Sequence, residues 1–322
     1  MYQPLIKFHP YPAIITQVLR IFAYRYLEYT IEDIIIKKNT MTYYSETPRE
    51  GISLPDGTFK GVLKDGKPSW GTLTDLCGII YEGEFQDGKI QGKGIMTFPE
   101  GQRYEGDFVN EKFEGSGMYT WPNGNRYEGQ FANGKFEGRG IYTWANGERY
   151  EGDFVNGEQH GKGVFTWSDG CCYEGDYDHG KQTGKGVYTQ RDGEYYRGDF
   201  VDGLPSGRGF FFWADGDRYE GDFIEGKRTG KGVFIHKGGD CYYGDFVEGI
   251  SHGKGIYIWT DGERYEGDFV NGQCTGKGVF FYKNGNRYEG DFVNGCKEGY
   301  GTMYYPDGRY DTGQWHDDNF MG

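Results

Sequence analysis

Along Tyr127–Arg149, YEGQFANGKFEGRGIYTWANGER, apolar and polar side chains alternate with the period of two that belongs to β-strands. Tyr127, Gly129 and Phe131 share one side of a first run, and Arg126, Glu128 and Gln130 share the other. In a second run Tyr142 and Trp144 oppose Ile141 and Thr143. The pattern predicts strands at Arg126–Phe131 and Gly140–Trp144. Ala132–Arg139, with Gly134 and Gly138, separates them, and Ala145-Asn146-Gly147-Glu148 follows. Asn-Gly is a strong hairpin signal because both residues tolerate positive φ. The predicted element is a hairpin with one aromatic and one polar face, and Gly129 leaves a gap in which a neighbouring ring can lie across the strand.

This hairpin recurs. The opening tyrosine reappears every 23 residues as Tyr81, Tyr104, Tyr127, Tyr150, Tyr173, Tyr196, Tyr219, Tyr242, Tyr265 and Tyr288, and the turn glycine keeps the same step from Gly78 to Gly308. A two-stranded hairpin is marginal alone in water, so stability has to come from neighbour on neighbour. The fold class expected is all-β: an elongated, solenoid-like single antiparallel sheet of tandem 23-residue hairpins, with a short α-helical segment at the N-terminus. At about 4.8 Å per strand, ten repeats would span on the order of 100 Å.

The ends depart from the period. Residues 1–50 do not repeat; there Ile14, Ile15, Val18, Leu19, Phe22 and Tyr26 fall on one face of a predicted amphipathic helix at about 13–29. That helix could cap the array or meet a partner or membrane surface, and the acid-free stretch 1–27 also has a weak transit-peptide character. Ile31–Lys38 is a second apolar run, helix or strand. Residues 51–78 form a damaged repeat, in which Pro55-Asp56-Gly57 matches Pro122-Asn123-Gly124 and Gly57 to Gly78 is two residues short, as terminal capping units are expected to be. Ten repeats then occupy 79–310, and 311–322 is a half-repeat.

These residues resemble the MORN (membrane occupation and recognition nexus) repeat, Y-E-G-x-[FW]-x-x-G-x-x-x-G-x-G followed by an aromatic and a turn glycine, over about 79–315. Departures are few: Glu111 replaces a turn glycine, Arg197 and Tyr243 replace the glutamate after the tyrosine, and Tyr310 is out of phase. The resemblance implies a sheet of hairpins that serves in scaffolding, organelle or cytoskeletal attachment, dimerisation and proposed phosphoinositide binding.

Composition narrows the partners. The chain carries net charge −14; residues 1–50 hold six Lys/Arg and five Asp/Glu, which leaves −15 on the repeats. A surface of that sign repels nucleic acid. Glycine numbers 58 and aromatics make up 18%, too many rings for disorder. Cys77, Cys171, Cys172, Cys241, Cys274 and Cys296 show no metal or disulfide spacing and read as free thiols of an intracellular protein, at a cytoplasmic, membrane or cytoskeletal surface. No run of eighteen apolar residues occurs, so no transmembrane helix is expected.

Every candidate for catalysis repeats, whereas a catalytic site is singular. Glu151-Gly152-Asp153 recurs in most repeats; Gly226–Gly232, GKRTGKG, imitates a phosphate loop but lacks its Ser/Thr and reads as a hairpin turn; the histidines are scattered, and His160 and His252 lie four repeats apart. The chain is expected to be no enzyme and to need no cofactor or metal. One row suggests a site: Lys93, Arg139, Lys162, Lys185, Arg208, Lys231, Lys254 and Lys277 stand between paired glycines, with Ser116 and Tyr300 filling the two other places. Along one edge of the sheet, with Lys89, Lys112, Lys135, Lys181 and Lys227 as a second partial row, they would meet anionic lipid headgroups, or else pair with the acids and blunt the edge against aggregation. The structural aromatic face comprises Tyr127, Phe131, Tyr142, Trp144, Tyr150, Phe154, Phe165 and Trp167. The function expected is a scaffold that holds a protein partner or a second copy; the alternatives are a phosphoinositide-dependent tether and a regulatory subunit docked on an enzyme.

Overall fold

The structure, a computed structural model, describes residues 49–54 and 57–322. The helix expected at 13–29, the run Ile31–Lys38 and the residues Pro55 and Asp56 lie outside the described residues. Within them there are 25 strands and no helix, and the described pairings join antiparallel neighbours in the chain. The contacts divide the described residues into two units, 49–181 and 182–322.

In the first unit the third repeat shows how the sequence makes the hairpin. Its strands are Arg126–Ala132 and Lys135–Thr143, so the second begins at residues that the sequence pattern placed in a turn. The reason is a two-residue turn at Asn133-Gly134, where φ is +50° and +79°. That is the left-handed pair of a type I′ turn, whose twist matches the strands it joins. Asn146-Gly147 instead belongs to a longer connection closed by Trp144 N–H to Glu148 O at 2.9 Å and Gly147 N–H to Trp144 O at 3.0 Å. Each repeat therefore turns tightly at one end and broadly at the other.

A bulge absorbs the extra length of the second strand. Gly129 opposes Gly140 but Gln130 opposes Glu137, so Gly138 and Arg139 have no residue opposite them within the hairpin. Toward the next repeat the same strand pairs without a break, Gly138 with Phe154 and Arg139 with Asp153. Gly138 takes φ +59°, a left-handed conformation that glycine adopts without steric cost.

The aromatic face forms the core. Tyr127 is fully buried, and its ring lies over Gly129 and Gly140: a Cβ added to Gly140 would stand 2.4 Å from Tyr127 Oη. The gap predicted at Gly129 is thus filled by the tyrosine two residues earlier on the same strand, not by a neighbour's ring. Tyr127 Oη donates to Gln130 O at 2.9 Å, and all ten opening tyrosines make the equivalent bond at 2.8–3.2 Å. Phe131 and the next repeat's Phe154 each set an edge against Tyr127 at 5.1 Å. The second unit repeats this at Tyr265, with Phe269 at 5.2 Å and Phe292 at 4.9 Å. It closes on strands Tyr310–His316 and Asn319–Phe320, where Trp315 takes the phenylalanine position and packs 5.1 Å from Tyr288.

Candidate functional site

The basic row does not run along an edge. Lys93 is the middle residue of Lys89–Thr97 and Lys254 that of Ile250–Ile258, both on the face opposite the tyrosines. The bulge carries each of these cations toward the next repeat, where an aspartate waits. Lys93, Lys162, Lys185, Lys231, Lys254 and Lys277 reach Asp107, Asp176, Asp199, Asp245, Asp268 and Asp291 at 2.5–2.6 Å. Arg139 meets Asp153 at 3.3 Å, while Arg208 leans to Glu220 at 3.8 Å. The turn-side lysines are the ones at an edge, and there Lys112 and Lys135 bond Asn133 and Asn156 of the following turns at 3.3 and 3.4 Å.

The aspartate has a second task. Asp153 accepts the backbone N–H of Lys162 at 3.1 Å, closing the bulge of its own repeat, and Asp107, Asp199, Asp222, Asp245, Asp268 and Asp291 do the same. One carboxylate thus ties its own bulge to the cation of the repeat before it. The hydrogen bond from Lys254 holds Asp268 below the usual carboxylate range, as that from Lys231 does for Asp245. Where the row lacks a cation the acid is missing too: Ser116 faces Gln130, with a 2.9 Å hydrogen bond, and Tyr300 faces Gln314. Cation with aspartate, neutral with glutamine: all ten pairs, fourteen residues apart, obey this rule. It could have been found in the sequence by reading two rows together.

Tyr127, Phe131, Tyr142, Trp144, Tyr150, Phe154, Phe165 and Trp167 are all buried, none more than 7% exposed. Burial pushes the hydroxyls of Tyr127 and Tyr150 well above the ordinary tyrosine range. In the eighth and ninth repeats the corresponding second-strand rings, Tyr257, Trp259, Phe280 and Tyr282, are only half-buried. Phe113 and Phe136 stack on Tyr104 and Tyr127 at 3.9 and 3.8 Å, but their positional equivalents are Ser251 and Cys274. The smaller side chains leave a thinner apolar layer. Trp259 and Phe280 still touch at 5.2 Å, and Phe280 and Tyr282 at 4.5 Å, so the open rings form a continuous strip. Two positions of the same row hold cations against rings: Arg228 lies 5.0 Å from the Phe234 centroid and 5.2 Å from Trp213, and Lys297 lies 5.1 Å from Trp315. Burial lowers Arg228 to about 10.

The repeated carboxylates are taken up in pairs: Glu151 with Arg149 at 2.5 Å, and Asp153 with Arg139. Gly226–Gly232 is mostly strand, not turn. Glu225-Gly226 makes the tight turn, and Lys227–Ile235 begins directly after it.

The MORN repeat family model matches ten times in tandem, at residues 81–103, 104–126, 127–149, 150–172, 173–195, 196–218, 219–241, 242–264, 265–287 and 288–308. No curated protein matches the chain in sequence. Among solved structures it is similar to the TCP10 domain of CPAP from Danio rerio, with 14% identity over 69% of this chain and 99% of that one, at a TM-score of 0.36. The same domain in complex with a peptide of Danio rerio STIL gives 13% identity over 70% and 99%, at 0.36. The TCP domain of Drosophila melanogaster SAS-4, in complex with a proline-rich motif of Ana2, gives 10% over 47% and 83%, at 0.32.

Proposed function

The chain belongs to the MORN repeat family, and on that premise we propose that it is a non-enzymatic scaffold that holds a segment of a partner protein. The observation that carries this is the half-buried strip Tyr257, Trp259, Phe280 and Tyr282, whose counterparts Tyr142, Trp144, Phe165 and Trp167 in the third and fourth repeats are buried. Half-buried rings that already touch one another offer rigid apolar area at little entropic cost, the kind of surface that anchors an apolar segment. A phosphoinositide tether has weaker support, because most cations of the basic row already lie within ion-pair distance of an aspartate.

The test replaces Trp259 and Phe280 together by alanine. The variant should keep the wild-type melting cooperativity and lose at least tenfold in affinity for partners captured by the wild type and then purified. Equal affinity would reject the strip as the docking surface. Light scattering at low micromolar concentration tells a second copy of the chain from a different protein, and vesicles with and without phosphoinositide, tried with the basic row changed to glutamine, test the tether.

A further inference from the structure

One spot in the first unit breaks the repetition at four positions together. Glu158 stands where Lys112, Lys135 and Lys181 stand in other repeats, and His160 where Glu114, Glu137 and Thr183 do. Asp178 replaces the valine seen at Val109, Val155 and Val201, and His179 the turn asparagine seen at Asn110, Asn133 and Asn156. The fold brings all four together. Gly161 opposes Tyr177 in the ladder, which sets His160 beside Asp178 at its end, and the tight turn places His179 next.

Asp178 Oδ1 lies 3.3 Å from His160 Nδ1 and 3.8 Å from His179 Nε2. The two imidazole centroids are 6.0 Å apart. Around a tetrahedral ion with bonds of about 2.0–2.1 Å, adjacent donors sit roughly 3.4 Å apart. The carboxylate therefore stands from both nitrogens at about the spacing of shared ligands. Glu158 Oε2 is 2.9 Å from His179 Nδ1, the arrangement in which a carboxylate holds one ring N–H and turns the other nitrogen toward a metal. Among the described residues no three such groups already surround a common point. Closing this set requires side-chain rotation, and the three side chains are 41%, 58% and 78% exposed, with solvent to turn into. The nearest row lysine, Lys162, is paired with Asp176 and does not compete.

We propose that His160, Asp178 and His179 form a surface site for one divalent transition-metal ion, with Glu158 fixing the orientation of His179. Two imidazoles and one carboxylate suit Zn²⁺, Ni²⁺ or Cu²⁺, not the all-oxygen preference of Ca²⁺ and Mg²⁺. Three protein donors leave a fourth position for water or for a donor from a partner. The chain supplies its own control: His252 occupies the position of His160, but Val270 and Asn271 stand where Asp178 and His179 would be.

Titration of the full chain with ZnCl₂ under a non-chelating reductant tests the site. One equivalent of Zn²⁺ should bind and then be lost in the double variant His160→Thr, His179→Asn, which carries residues already present at these positions in neighbouring repeats and should melt as the wild type does without metal. Glu158→Gln should weaken binding by about 10- to 100-fold, and His252→Thr should leave it unchanged. Any zinc held by the six cysteines is the same in all four chains and cancels in the comparison. Equal stoichiometry and affinity in the wild type and the double variant, or loss of binding with His252→Thr, would overturn the site. Co²⁺-induced broadening of the His160 and His179 imidazole resonances, with that of His252 unaffected, gives a readout independent of heat.

Discussion

The second and third repeats and the eighth and ninth are built on one plan and finish differently. In both regions the opening tyrosine lies over a pair of glycines and is edged by two phenylalanines. In the early pair Phe113 and Phe136 add a stacked ring, and Tyr119, Tyr142 and Trp144 are buried while Trp121 stays half-buried, whereas in the late pair, with Ser251 and Cys274 in those places, Tyr257, Trp259, Phe280 and Tyr282 are all half-buried. The polar face varies the opposite way. Ion pairs Lys254–Asp268 and Lys277–Asp291 run through the late repeats, while Ser116–Gln130 interrupts them in the early ones. The difference separates what holds a repeat together from what it can show to a partner: the tyrosine frame is common to both regions, and the burial of the second-strand rings varies on top of it.

The largest effect should fall on that common frame. Tyr127→Ala and Tyr265→Ala each remove a fully buried ring and its hydrogen bond, and each should cost about 3–5 kcal/mol in denaturant unfolding. A much smaller loss at Tyr265 would mean that the two regions do not share a frame. Exchanging the variable residue comes next. Phe136→Ser should cost roughly 3 kcal/mol and raise the solvent exposure of Tyr142 and Trp144. Cys274→Phe should restore a stack on Tyr265, stabilise by about 1 kcal/mol and weaken partner binding; destabilisation there would show that the late repeats are shaped by more than one side chain.

Glu111 offers a more local change. It holds φ +66° where other repeats place glycine, so Glu111→Gly should stabilise by roughly 1 kcal/mol, and an unchanged melting temperature would count against strain in that turn. The smallest effect is electrostatic. Asp268 titrates below its unfolded value of about 3.9 because Lys254 bonds it, so its contribution is full above that pH and fades as the pH falls through 4 and below. Asp268→Asn should cost only about 0.2–1 kcal/mol near neutrality, since the pair is solvated, and should flatten that acid limb. Building Ser116→Lys with Gln130→Asp should add an acid-sensitive contribution of the same size to the early repeats.

Much of this was legible in the chain. The alternation at Tyr127–Phe131 reported a strand and its faces, and the 23-residue step reported the family. The start of the second strand at Lys135 was not legible, because KFEG alternates too little and holds glycine, and Asn146-Gly147 competes as a turn signal with Asn133-Gly134. The basic row was visible, but its place on the open face depends on a bulge that no single repeat announces. The cluster at Glu158, His160, Asp178 and His179 hid for a related reason. Each residue departs from a different row, and they meet only across a turn and a strand boundary.

The sequence by itself determined the strands, the repetition, the aromatic and polar faces and the turn chemistry, all of which follow from the period of two and from residues that tolerate positive φ. Only the tertiary structure decided which ring fills the glycine gap, which aspartate meets which lysine and which rings stay half-open. Those outcomes depend on register and on side-chain volume across neighbouring hairpins, and a one-residue change in register or one ring replaced by serine alters them without disturbing the pattern in the chain.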